Sequence, residues 1–255
     1  MSRVGTFTRR NLLEMSRDAL SYIFCIAFPL VMLVIMTIVN QSIPKEGVTI
    51  FQIDNLAGGI TIFGLTFVML FTAITVAKDR AGAFLTRLYA TPMKSGDFTK
   101  GYILPMLIIA GVQAVVSFAA SFVVSLITGS TLNVLGILLA IVTLIPPAVM
   151  LIAIGLIFGT LFNEKSAPGI CSIIISLGSF LGGIWFDAEQ TGGVMLTICK
   201  CLPFFYCTKA VRSAIKLDIT WDTYFLPLII VTVIAVVLVL LASVAFRRKM
   251  KADLG

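Results

Sequence analysis

The stretch "AKDRAGAFLTRLYATPMKSGDFTKG", residues 77 to 101, places seven charges between two long apolar runs. A charge at the centre of a spanning helix costs about 2.5 to 3.5 kcal/mol, so burying Lys78, Asp79, Arg80, Arg87, Lys94, Asp97 and Lys100 would cost on the order of 20 kcal/mol. The segment therefore stays at a membrane surface while its flanks cross. Within it Ala81, Phe84, Leu85 and Leu88 recur at i, i+3, i+4 and i+7, which predicts a short amphipathic helix. Pro92 ends that helix, because the residue before a proline is pushed out of the α region. "KSGD" (94 to 97) then turns the chain into the next run.

Outward from this segment the chain is overwhelmingly apolar. Of its 255 residues 59% are hydrophobic, 12% are charged and none is histidine, a balance that excludes an ordinary soluble domain. About 20 apolar residues cross a hydrocarbon core roughly 30 Å thick, and six runs qualify, at about 20–39, 56–77, 101–127, 132–162, 168–185 and 224–246. The expected fold is an all-α polytopic membrane protein, one transmembrane domain over residues 1–255. The first run is too long for a signal-peptide core and no small-x-small cleavage site follows it, so it reads as a retained span.

Basic residues near span ends stay on the cytoplasmic side. With the N-terminus inside, 14 of the 19 Lys and Arg residues fall on inner segments and 5 on outer ones, which places both termini and the quoted stretch in the cytoplasm. The same distribution accounts for the +7 net charge without a nucleic-acid partner. Cys25 and Cys171 lie in spans, and Cys199, Cys201 and Cys207 in the last outer segment. A Cys201–Cys207 bridge is conceivable there, unpaired apolar cysteines are the simpler reading, and no metal-ligand spacing is present.

The fourth run is read as one long helix kinked at Pro146 and Pro147, since each half is too short to cross. Pro29 and Pro105 should bend the first and third spans more locally. Gly155 with Gly159, and Gly178 with Gly182, stand one turn apart and let helix backbones approach closely. Packing within the chain is preferred here to a seam between two copies. The segment Phe186 to Thr223 is too apolar for a loop and is broken by Pro203, which predicts interfacial or re-entrant helices on the outer side. In the second of these, Cys207, Ala210, Val211 and Ala214 form one face, with Lys209, Arg212 and Lys216 around the other.

No Asp, Glu, Lys, Arg or His falls inside the six runs, which weakens an ion-coupled transporter. Gln113 is the clearest polar side chain at mid-membrane, and an interhelical hydrogen bond explains it. Without histidine there is no HExxH or Ser-His pair, and neither a GxSxG elbow nor a GxxxxGK[ST] loop occurs, so the chain is expected to be neither an enzyme nor an ATP binder. The quoted helix then fits two uses equally on physical grounds: resting on inner-leaflet headgroups, or acting as a lever offered to a soluble partner.

The residues Asp79, Arg80, Gly82, Leu85, Arg87, Leu88, Ala90, Thr91, Pro92, Lys100 and Gly101 resemble the signature of ABC transporter permeases of the type-2 export class. That signature runs from a charged turn through "L-x-R-L-x-A-T-P" to a "GK"-like entry. Asp79 stands where a Glu is usual, and the entry reads "KG". "GLIFGTLFNEKSAPG" (155 to 169) and "LPFFYCTKAVRSAI" (202 to 215), with Pro203, Tyr206, Ala210 and Arg212, are similar to further segments of the family.

The resemblance implies a plasma-membrane exporter subunit that pairs with a second, identical or paralogous permease. Two cytoplasmic ABC ATPase subunits would bind ATP and Mg, the permease itself carrying no cofactor. Arg80, Phe84, Leu85, Arg87, Leu88, Tyr89 and Pro92 would form the ATPase-coupling element. An inner interfacial helix over about Thr6 to Ala19 would include Arg9, Arg10, Leu12 and Met15, its apolar side formed by Leu12, Met15 and Ala19. Pro203, Phe205, Tyr206 and Arg212 would belong to an extracellular gate. Charge-free spans rich in Phe, Ile, Leu and Met suit an amphiphilic or hydrophobic cargo such as a drug, lipid or peptide antibiotic. A lipid-linked polysaccharide or teichoic-acid precursor is the alternative cargo, and an ATPase-independent facilitator or channel the alternative mechanism.

Overall fold

Backbone amides have no water to bond in hydrocarbon, so apolar runs of this length fold as helices. The computed structural model describes residues 3–43, 49–82 and 95–254, and among them every regular element is helical. Helix α1 (Arg3–Ser16) precedes the first span, α2 (Ala19–Ser42). The second and third spans are α3 (Ile53–Ala81) and α4 (Ser95–Thr128). The fourth is formed by α5 (Val134–Thr143) and α6 (Ile145–Leu161). A shorter helix, α7 (Ala167–Leu181), is followed by α8 (Gly193–Lys200) and α9 (Pro203–Lys216), which are bent by 93° relative to one another. The last span is α10 (Leu226–Leu254), entered through a π-turn at Trp221–Phe225.

Each irregularity has a local cause. The fourth span breaks at Leu144, just ahead of Pro146 and Pro147, which occupy the first turn of α6 where a missing N–H costs nothing. In α2 a π-turn at Ile23–Ala27 accommodates Pro29 at the start of the following α-helical stretch. Pro105 sits inside α4 without interrupting it.

Three boundaries differ from those read in the sequence. The helix of the second span runs on to Ala81, so Lys78, Asp79 and Arg80 lie on its last turn. "KSGD" does not turn the chain at its Ser95–Asp97 portion, which is already the first turn of α4. The fifth helix stops at Leu181, where Gly182 caps it and Gly183 adopts φ +68°, a left-handed conformation that favours glycine. Its 15 residues span about 22 Å, short of the hydrocarbon thickness.

The core is built around α3, the most buried span. Gly155 and Gly159 of α6 press against its backbone: a Cβ on the first would meet the carbonyl of Met69, and one on the second the carbonyl of Ala73. Gly178 and Gly182 face Phe204 of α9. Both glycine pairs therefore pack within the chain. Spans α2 and α10 lie at the periphery, and their apolar side chains, among them Val31, Ile38, Val233 and Leu240, face outward.

Gly159→Val should lower the thermal midpoint of the purified protein, at an overpacking cost of about 1–3 kcal/mol. Gly111→Ala, where an added Cβ meets nothing within 4 Å, should leave it unchanged.

Candidate functional site

Each end of α3 carries a cluster of polar contacts to other elements. At its C-terminal end, the loop end, three consecutive charges meet three other elements. Asp79 is almost wholly buried, and an isolated carboxylate there would be costly. It accepts two hydrogen bonds from the Arg10 guanidinium, Nη1 to Oδ2 at 2.8 Å and Nη2 to Oδ1 at 3.0 Å. The Tyr102 hydroxyl of α4 donates a third, at 2.7 Å. This two-pronged guanidinium–carboxylate geometry fixes orientation as well as distance.

Arg10 also pairs with Glu14 one turn later at 2.6 Å, and Lys78 approaches the same Glu14 at 3.6 Å. Burial alone would lower the Arg10 pKa, but the hydrogen bond and charge of Asp79, with Glu14, raise it above its ordinary value. Arg80 points the other way, donating to the carbonyls of Gly159, Thr160 and Phe162 at the C-terminal end of α6. Those carbonyls lack helical partners and carry the negative end of the helix dipole, so a cation is favoured there.

Apolar contacts seat α1 around this ion pair. Phe7 packs edge-on against Tyr102 at 5.0 Å and Phe98 at 6.1 Å. Phe246 of α10 lies over the same rings, at 6.4 Å from Phe98 and 5.9 Å from Tyr102. Gly101 makes the approach possible, since a Cβ there would collide with the Phe7 ring. The Asn11 side-chain amide donates to the Gly101 carbonyl at 3.1 Å. The buried face of α1 is thus Phe7, Asn11 and Met15. The sequence stripe Leu12, Met15 and Ala19 is corrected accordingly: Leu12 is half-buried, Ala19 is exposed, and the helix ends at Ser16. Arg9 is exposed.

Of the expected coupling residues, Arg80 is placed at this junction. Phe84, Leu85, Arg87, Leu88, Tyr89 and Pro92 lie outside the described residues.

The far end of α3 has its own part-buried cation. Arg212 of α9 donates from Nε to the Asn55 carbonyl at 3.0 Å, from Nη1 to Gly183 at 2.8 Å and from Nη2 to Ile184 at 3.4 Å. The helical wheel put Arg212 on the polar side of α9, but it points inward and ties the hairpin to α3 and to the chain beyond α7. Cys207, Ala210, Val211 and Ala214 form the buried face as expected. Pro203 starts α9, Phe205 packs with Ala188 and Cys199, and the Tyr206 hydroxyl donates to the Lys200 carbonyl at 2.9 Å. Cys207 is buried, Cys201 is exposed, and both are unpaired.

A family model described as ABC-2 type transporter matches residues 2–216, from α1 through the hairpin. The chain belongs to the ABC-2 type transporter family. It is thus the membrane subunit of an ABC-type transporter, a kind of permease that works with ABC ATPase subunits. No curated protein matches the chain significantly. Within this permease, the matched region holds both arginine junctions, Arg10–Asp79 with Arg80 at one end of α3 and Arg212 at the other.

Asp79→Ala removes the carboxylate that takes the Arg10 guanidinium and the Tyr102 hydroxyl, leaving Arg10 its pair with Glu14, and should cost about 1–3 kcal/mol in thermal or denaturant unfolding. Arg10→Met should cost much less when Asp79→Ala is already present than it costs alone, a coupling that a double-mutant cycle reads directly.

Proposed function

We propose that this permease is half of an exporter that moves an amphiphilic or hydrophobic cargo outward, driven by a pair of cytoplasmic ATPases docked on residues 83–94. The observation that supports this most is the clamping of the loop root. Through Asp79 and Arg80 the last turn of α3 is fastened to α1, α4 and the end of α6. A loop rooted this way passes a push to three spans together. A loop on a frayed helix end would absorb it.

In this reading the termini are cytoplasmic and the membrane is the plasma membrane. The apolar side of the 83–94 segment, Phe84, Leu85 and Leu88, docks in an ATPase groove, and Arg87 pairs with carboxylates there. ATP binding favours the ATPase arrangement that displaces the loop, and the spans follow by a population shift between two packed states. The hairpin α8–α9, held to the opposite end of α3 by Arg212, is the element that opens.

A row of aromatic rings supports the cargo class. Phe63, Phe67 and Phe71 recur along one face of α3, and Phe24 of α2 meets the second at 5.9 Å and the third at 6.3 Å. Phe28 lies 5.8 Å from Phe63, and Trp185 closes the row at 5.2 Å from Phe63. Phe24 and Phe28 are more than a third exposed. Phe63, Phe67 and Phe71 are buried beneath them, so the exposed edge of the row is Phe24 and Phe28, which suits apolar or aromatic groups and offers a sugar chain few hydrogen bonds.

Arg87→Glu combined with Leu88→Asp should leave membrane insertion intact and abolish co-purification of the ATPase. Undiminished ATPase recovery would contradict the docking site.

A further inference from the structure

Where α6 and α10 meet at the loop end, a groove of about 490 Å³ opens sideways between them. Ile157 and Leu161, one turn apart on α6, form one wall. Leu241, Val244, Ala245 and Arg248 follow at i, i+3, i+4 and i+7 on α10 and form the other, with Lys249 beside them. The opposite face of α10 is turned inward: Ala242 and Phe246 are buried, and the Ser243 hydroxyl donates to Thr99 at 3.2 Å. The groove face is therefore directed away from the bundle, with Leu161 and Leu241 more than half exposed and Val244 nearly so.

The depth of the groove follows from the chain. Leu161 is the last residue of α6, whose terminal carbonyls are bonded by Arg80, so hydrocarbon gives way to headgroups at this level. Arg248 and Lys249 sit at the same end of the groove, and the described residues that line it include no acidic one. We propose that this groove binds one anionic diacyl phospholipid, an acyl chain lying along Ile157, Leu161, Leu241, Val244 and Ala245 and the phosphate meeting Arg248 and Lys249. An apolar trough closed at headgroup height by two cations complements both parts of such a molecule, whereas a second protein surface would have to supply carboxylates at that level. With the orientation proposed above, the lipid belongs to the inner leaflet. Binding to the purified chain does not depend on that orientation, so the two claims fail separately.

The test is native mass spectrometry of the full-length chain in detergent, titrated with phosphatidylglycerol and, separately, with phosphatidylcholine. The wild type should retain one phosphatidylglycerol per chain in clear preference to phosphatidylcholine. Arg248→Gln with Lys249→Gln should weaken phosphatidylglycerol binding roughly thirtyfold, each neutralised cation counting for a factor of about five. Val244→Trp, which fills the trough at an exposed site and keeps both charges, should also lose the lipid. Arg17→Gln, an exposed cation elsewhere, should not. Equal retention by the neutralised variant would overturn the site. So would displacement of the lipid by soluble glycerol phosphate, which would mark a phosphate site without a lipid, or a loss of oligomeric state in Val244→Trp, which would mark a seam between copies.

Discussion

The structure depends on how charge is neutralised where α3 leaves the hydrocarbon. Asp79 and Arg80 are neighbours of opposite sign, yet they do not pair with one another. Each looks to a different partner, Asp79 to Arg10 and Tyr102, and Arg80 to the carbonyl end of α6. A buried carboxylate without its guanidinium would be far more costly than the pair is stabilising, so the arrangement holds α1 in place chiefly through what its loss would expose. The same pairing lets α3 carry Asp79 in its last turn, where Lys78 and Arg80 already suit the negative end of the helix dipole.

Arg212 repeats the device at the opposite end with carbonyls in place of a carboxylate. It bonds Asn55 in the first turn of α3 and Gly183 and Ile184 just beyond α7, so the hairpin is held by backbone groups from two elements. Between these ends the α3–α6 seam is close-packed through Gly155 and Gly159. Close packing of this kind transmits displacement instead of absorbing it. A helix gripped at both ends and along its side is suited to move as one body, which is what a permease driven from one membrane face requires.

The spans were legible because hydropathy over about 20 residues dominates every local preference, and the Pro146–Pro147 kink because proline acts through its own backbone. The end of α7 was not, since "FLGGIW" stays apolar past Leu181 and the decisive event is the left-handed Gly183. The charged last turn of α3 was read as loop because its neutralising partner, Arg10, lies 69 residues from Asp79, beyond any local pattern. Arg212 was singled out but placed on the wrong side of its helix, because a helical wheel counts a cation as outward-facing, whereas it satisfies backbone carbonyls inside the fold; Asn11, which bonds the Gly101 carbonyl 90 residues away, left no local signal. The amphipathic pattern of Phe84, Leu85 and Leu88 and most of the family signature around it lie outside the described residues, so only its root at Asp79 and Arg80 is placed.

The central claim, that motion at the loop reaches the far end through the Arg80 junction, is tested most directly at Cys201, the one exposed cysteine. Its rate of modification by a membrane-impermeant maleimide would be measured in the permease–ATPase complex, with and without ATP and vanadate. The account predicts that ATP changes the rate in the wild type but not in Arg80→Gln, although the variant complex still holds its ATPase and hydrolyses ATP. An equal ATP-dependent change in Arg80→Gln would contradict it.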